Sequence, residues 1–229
     1  KNSIEKEVEF SAGDEIQGLF ISPQSAYLYY RFFSMLIFPI QTHTGIGFGT
    51  WDIRVDNGSS TAQDGTVYHY ARKAIDEAKK SLEYSTLFYS KNKNDIIINS
   101  LINATTLLAS KQSEYQNKLM LLAEILYPIA SEDIVDYKNL KELLKSIQFE
   151  KKKNLTLDID YLVISTQLEK ESFYITEGKK RGLSTQISKL LGVSRQSVEK
   201  AIKTGNIYEL RNITIAILKA IDNIQGENL

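Results

Sequence analysis

The sequence predicts an α+β fold, in which an antiparallel-rich sheet with helices on one face precedes an α-helical region that ends in a helix-turn-helix. Three observations carry that expectation. The first third of the chain switches between strand-like and helix-like apolar spacing in the order strand, strand, helix, strand, strand, helix, strand. Residues 95–127 keep helical spacing, and Ser184 to Gly205 holds two short amphipathic segments on either side of Gly192. The expected boundaries are 1–90 for the α+β part, 91–176 for a helical connection and 177–229 for the C-terminal helices.

Val8 and Phe10 lead into Ser11-Ala-Gly-Asp-Glu15, and Ile16, Leu19 and Phe20 leave it, which reads as a hairpin because Gly13 supplies turn backbone angles. Its tip carries two carboxylates, Asp14 and Glu15, which suit either a solvated turn or a metal site. Pro23 to Phe33 reads as a helix with Tyr27, Tyr30 and Phe33 as its buried stripe. Leu36 to Thr42 and Thr44 to Val55 read as strands, the second through Gly45-Ile-Gly-Phe-Gly49. Glycine at alternate positions leaves one strand face nearly flat. No helix opens directly after these glycines, so they do not form a dinucleotide-binding fingerprint. After the polar loop Asp56 to Gly65, a helix is expected from Thr66 to about Ser81, then a short strand at Leu87 and Phe88.

Asp95 to Tyr127 fits two antiparallel helices or one long dimerising helix, with Pro128 as its stop. Ser131 is placed to cap a helix through Leu144, and Glu150-Lys-Lys-Lys-Asn154 reads as a solvated linker. Leu155 to Tyr174, with Leu157, Tyr161, Leu162, Leu168 and Phe173, reads as an amphipathic segment lying under the C-terminal helices. Ile207 to Ile224 supplies the closing helix through Leu210, Ile213, Ile217, Leu218 and Ile221.

Ile187, Leu190 and Leu191 form an apolar face that resumes at Val198, Ala201 and Ile202, and Ser194 stands at the cap of the second helix. Gly192 is expected between them both for its backbone freedom and because the turn packs too tightly for most side chains. The second helix would present Ser194, Arg195, Gln196, Glu199, Lys200 and Lys203. In a helix-turn-helix such a start enters the major groove, where Arg grips guanine and Gln grips adenine. A polar helical hairpin that contacts nothing is the bland alternative.

The 229 residues carry 28 basic and 28 acidic side chains, so no overall field marks a nucleic-acid binder. Between Lys179 and Lys219, however, Lys179, Lys180, Arg181, Lys189, Arg195, Lys200, Lys203, Arg211 and Lys219 face only Glu199 and Glu209. The absence of cysteine excludes disulfides, thiolate metal sites and a Cys nucleophile, and fits a cytoplasmic protein. No apolar run approaches the roughly 20 residues of a membrane span, and no membrane partner is expected. His43 and His69 are the histidines available as bases near neutral pH, and no Walker loop is present.

Phe10-Ser-Ala-Gly-Asp-Glu-Ile-Gln-Gly-Leu-Phe20, Gly45-Ile-Gly-Phe-Gly49 and Asp64-Gly-Thr-Val-Tyr-His-Tyr-Ala-Arg72 together resemble the SatD family of bacterial proteins. That resemblance covers about residues 8–90 and 177–215, and it implies a C-terminal helix-turn-helix. More distantly the same motifs are similar to the palm of class III nucleotidyl cyclases. That similarity places Asp14 on a metal position, with Glu15 beside it, and Arg72 on a phosphate-steadying position. Tyr68 stands where a cyclase has asparagine, and the other metal-binding Asp is expected on a strand preceding Lys1. The cofactor that this similarity implies would be Mg or Mn with a nucleotide, and transfer between two metals needs both ions held.

Three functions compete. One is a DNA-binding transcription regulator, a homodimer whose palm-like part serves as scaffold or as sensor of a nucleotide effector. The second is a metal-dependent nucleotide-processing palm tethered to DNA, and the third a noncatalytic protein-interaction module. Homodimerisation is expected because half-sites for such helices lie one turn of DNA apart.

Overall fold

The computed structural model describes residues 4–131, 162–164 and 173–227. It is a mixed α+β protein, as the apolar spacing predicts. Strand β1 (Ile4–Ala12) pairs antiparallel with β2 (Glu15–Phe20) across the turn at Gly13, whose φ of 60° is a left-handed value that glycine adopts without strain. Helix α1 (Pro23–Leu36) follows, with Pro23 in its first turn and the Ser22 side chain accepting from the Ser25 N–H. Tyr27 is buried and Tyr30 and Phe33 are half-buried.

The expected strand Leu36–Thr42 does not form. Met35 is held in the core, so α1 runs on to Leu36, and Pro39 then has no N–H to give to a ladder. The strand expected over Thr44–Val55 shortens to β3 (Thr44–Gly47), with an isolated bridge between Ile53 and Asp64 further on. Helix α2 (Thr66–Lys80) connects β3 to β4 (Thr86–Tyr89), and the two strands are parallel. Among the described residues the strands form three two-stranded ladders, one antiparallel and two parallel.

The flat strand face is the seat of α2. A Cβ built on Gly45 would lie 2.3 Å from the Ala71 carbonyl oxygen, and one on Gly47 would lie 2.3 Å from that of Val67. Backbone therefore rests on backbone, and Ala74 and Ala78 are the buried side chains of α2. On the other face of the ladder Ile46 and Phe88 join a core with Tyr27, Ile98, Ile102, Ile217 and Ile221. Helices thus cover both faces of β3–β4, not one.

Helix α3 (Asp95–Ser110) and helix α4 (Glu114–Leu126) are separate, divided at Gln112 and Ser113, where Ser113 and Gln116 form a capping box. They do not make the expected antiparallel pair or a single long helix. Helix α3 packs mainly on β4 and on α7 (Ile207–Glu227), whereas α4 packs on α1 and on α5 (Leu183–Leu191) and α6 (Arg195–Thr204). Ser131, expected as a helix cap, instead ends β5 (Ile129–Ser131), which pairs parallel with β6 (Leu162–Ile164). The rest of the expected helix to Leu144, the linker 150–154, Leu157, Tyr161 and Leu168 lie outside the described residues. Phe173 is 93% exposed and does not lie under the C-terminal helices.

A second core joins Met35, Leu119, Leu122, Ile125, Leu183, Ile187, Val198, Ile202, Ile207 and Leu210. Helix α7 begins in this core and ends in the first, and both cores draw on α1 as well. The cores therefore cross the boundaries expected near residues 90 and 176.

The seat of α2 makes Gly47→Ala a test of the close approach. A methyl group has no room beside the Val67 carbonyl, so urea unfolding should show a loss of about 1–3 kcal/mol or more. An unchanged midpoint would mean that α2 does not rest on this strand.

Candidate nucleic-acid interface

Helices α5 and α6 are joined by Gly192, Val193 and Ser194. Gly192 adopts φ 65° and ψ 33°, a left-handed cap whose N–H donates to the Ser188 carbonyl. A Cβ there would meet nothing within 4 Å. Glycine is thus selected by backbone conformation alone, and the tight packing expected around it is absent. Ser194 caps α6, its hydroxyl accepting from the Ser197 N–H at 3.1 Å.

Val198 and Ile202 point from α6 into the core, as do Ile187 and Leu190 from α5, against Leu119 and Leu122 of α4 and Leu210 of α7. Two amides missed by sequence pattern hold the far end of α6. Gln112 Nε2 donates to the Gly205 carbonyl at 2.6 Å, and Gln116 Nε2 to Thr204 Oγ1 at 3.0 Å.

Ser194, Arg195, Gln196, Glu199, Lys200 and Lys203 are all exposed. Arg195 Nε donates to Glu199 Oε1 at 2.8 Å, and Ser184 Oγ reaches the same oxygen at 3.2 Å. The hydrogen bond from Arg195 holds the Glu199 carboxyl below its usual value. Glu199 therefore orients Arg195, one turn away on the same helix.

The basic surplus needs one correction, because Arg211 is fully buried and belongs to no surface. Its Nη1 and Nη2 donate to Glu124 Oε1 and to the Tyr127 carbonyl, and its Nε donates to the Gly178 carbonyl. Arg31 Nη2 reaches Glu124 Oε1 as well, at 2.7 Å. One carboxylate on α4 thus joins α1 to α7. Burial alone would push the Glu124 carboxyl up, but the guanidiniums of Arg211 and Arg31 outweigh it and hold the group low. Nothing in the local sequence marks this triad, since Arg211 and Glu124 are 87 positions apart.

The hairpin residues also meet partners. Asp14 is exposed at the tip. The Glu15 carboxylate accepts from Lys79 Nζ at 2.7 Å and from Arg72 Nη1 at 3.2 Å. Its carboxyl is held below the usual value by those hydrogen bonds, that from Lys79 first. Glu15 and Arg72 are brought together as an ion pair, and Lys79, which sequence reading missed, completes it from the next turns of α2. Among the described residues no group of three or more His, Asp or Glu side chains is arranged to hold a metal ion. His69 Nε2 lies 3.3 Å from Asp64 Oδ1.

An α+β unit closed by C-terminal helices is the class that this architecture defines. The sequence matches the SatD family model over residues 1–161, and the chain belongs to the SatD family. The match includes the hairpin, the glycine strand, α2, α3 and α4 and stops before α5, whereas the motif resemblance reaches about residue 215. No curated protein and no solved structure matches the chain. No helix among the described residues is long and apolar enough to cross a membrane.

The triad sets an acid limit on stability. A carboxyl lowered on folding contributes stability that is present above its unfolded value, about 4.3, and is lost as pH falls through the folded value. The urea midpoint should fall on acidification below about pH 4.3. Glu124→Gln, which leaves two buried guanidiniums without their carboxylate, should cost about 3–5 kcal/mol at pH 7 and flatten that acid slope. Equal slopes in both proteins would remove Glu124 from the acid transition.

Proposed function

We propose that the protein binds double-stranded DNA, with α5 and α6 as a helix-turn-helix and α6 as the helix that enters the major groove. The observation that carries this reading is the division of α6. Val198 and Ile202 are buried, while Arg195, Gln196, Lys200 and Lys203 are exposed from its capped start to its end. Glu199 takes the Nε edge of Arg195, which leaves the two terminal nitrogens for the O6 and N7 acceptors of guanine. Gln196 matches the donor and acceptor of adenine in the same way. Lys179, Arg181 and Lys189 are further exposed cations on or before α5, suited to phosphates.

On this reading the protein is a cytoplasmic transcription regulator that acts as a homodimer. Its palm-like α+β part is the scaffold or sensor, not a catalytic site. The engagement of Glu15 by Arg72 and Lys79 supports that assignment, because a metal would have to displace two ammonium or guanidinium partners.

Gel shifts across a salt series should show log affinity falling with log salt by a slope of roughly −0.9 per phosphate contacted. Absence of binding to any duplex in a random-sequence selection would end the reading. On a selected operator, Arg195→Ala should cost roughly 1–3 kcal/mol and erase preference at one base pair, with binding to scrambled DNA nearly unchanged. Lys203→Ala should weaken both duplexes alike. Full operator preference in Arg195→Ala would show that α6 does not read bases.

A further inference from the structure

Beside the ion triad lies a pocket of about 120 Å³, lined by Leu28, Arg31, Phe32, Glu124, Pro128 and Ile129. Four of these are apolar, and the other two are the Arg31–Glu124 pair. The charge of the triad does not cancel. Two guanidiniums, from Arg31 and Arg211, share the single Glu124 carboxylate, and both bond the same oxygen. Arg211 uses its other donors on the Gly178 and Tyr127 carbonyls. Arg31 has five N–H donors and, among the described residues, uses only Nη2. The Arg31 side chain is 9% exposed and lines the pocket. A second anionic acceptor beside this pair of guanidiniums would balance their charge and use donors that Glu124 leaves over.

We propose that this pocket binds a small aliphatic carboxylate. The carboxylate accepts from the free edge of Arg31, and the alkyl chain is covered by Leu28, Phe32, Pro128 and Ile129. The bound anion brings the site to two cations and two anions. Size sets the ligand class, because an apolar cavity of roughly 150 Å³ holds one benzene ring and drug-sized ligands need roughly 300–1,000 Å³. A chain of about four or five carbons fits this scale, and a nucleotide does not. Binding itself does not depend on the DNA reading.

The test is titration calorimetry of the full chain, without DNA, using butyrate, butyramide and butylammonium as probes. Butyrate should bind saturably and the other two should not. Arg31→Lys, which offers a point charge in place of a planar fork, should weaken butyrate by roughly tenfold or more. Leu28→Trp fills the pocket and leaves the triad in place, so it should abolish butyrate binding while the protein still melts cooperatively. That second variant decides the matter if Arg31→Lys fails to fold. No saturable heat from butyrate, equal binding of butyramide, or full binding by Leu28→Trp would each overturn the proposal.

Discussion

Glu124 is the point on which the rest of the molecule depends. A carboxylate that is 4% exposed is tolerable only with cations beside it, and its two cations come from helices far apart in sequence. Arg31 is on α1, inside the α+β part, and Arg211 is in the second turn of α7, next to the helices proposed to read DNA. Arg211 also fills the Gly178 and Tyr127 carbonyls and lies over the Tyr127 ring at 5.2 Å. Apolar side chains would bury as well or better. What the ions add is a single arrangement, because a slip of α7 by one turn would take the buried Arg211 guanidinium away from Glu124.

That fixed register matters because α7 serves two cores. Ile207 and Leu210 pack with α4, α5 and α6, and Ile217, Leu218, Ile221 and Ile224 pack with α1, α3 and the β3–β4 ladder. Arg211 sits between the two groups. At the far end Gln24 of α1 donates to Asp222 and Gln225, a second polar tie between the same two helices. The helix is apolar on most of its circumference for this reason.

Local rules recovered what local chemistry determines. The cap at Ser194, the left-handed Gly192, the hairpin turn at Gly13 and the start of α2 at Thr66 each follow from one or two residues and their backbone demands. The alternating glycines announced a flat strand face, although not what would lie on it. Sequence misjudged the places where a distant partner decides. Leu36 to Thr42 has strand-like composition, but burial of Met35 carries α1 on to Leu36, and the residues after it turn instead of pairing. Arg211 looked like one more surface cation because its carboxylate is on another helix. The partners of Glu15 stayed unseen because Lys79 and Arg72 are more than fifty positions away.

The shared helix also limits how this protein can be divided. The family model ends at residue 161, yet Tyr27, Phe88, Ile98 and Ile102 inside that span are covered by α7 outside it. A fragment cut there would open one side of its core to water. The complementary piece would carry Ile215, Ile217 and Ile221 bare. Exchange of one half alone by recombination would therefore leave apolar core residues of both pieces uncovered.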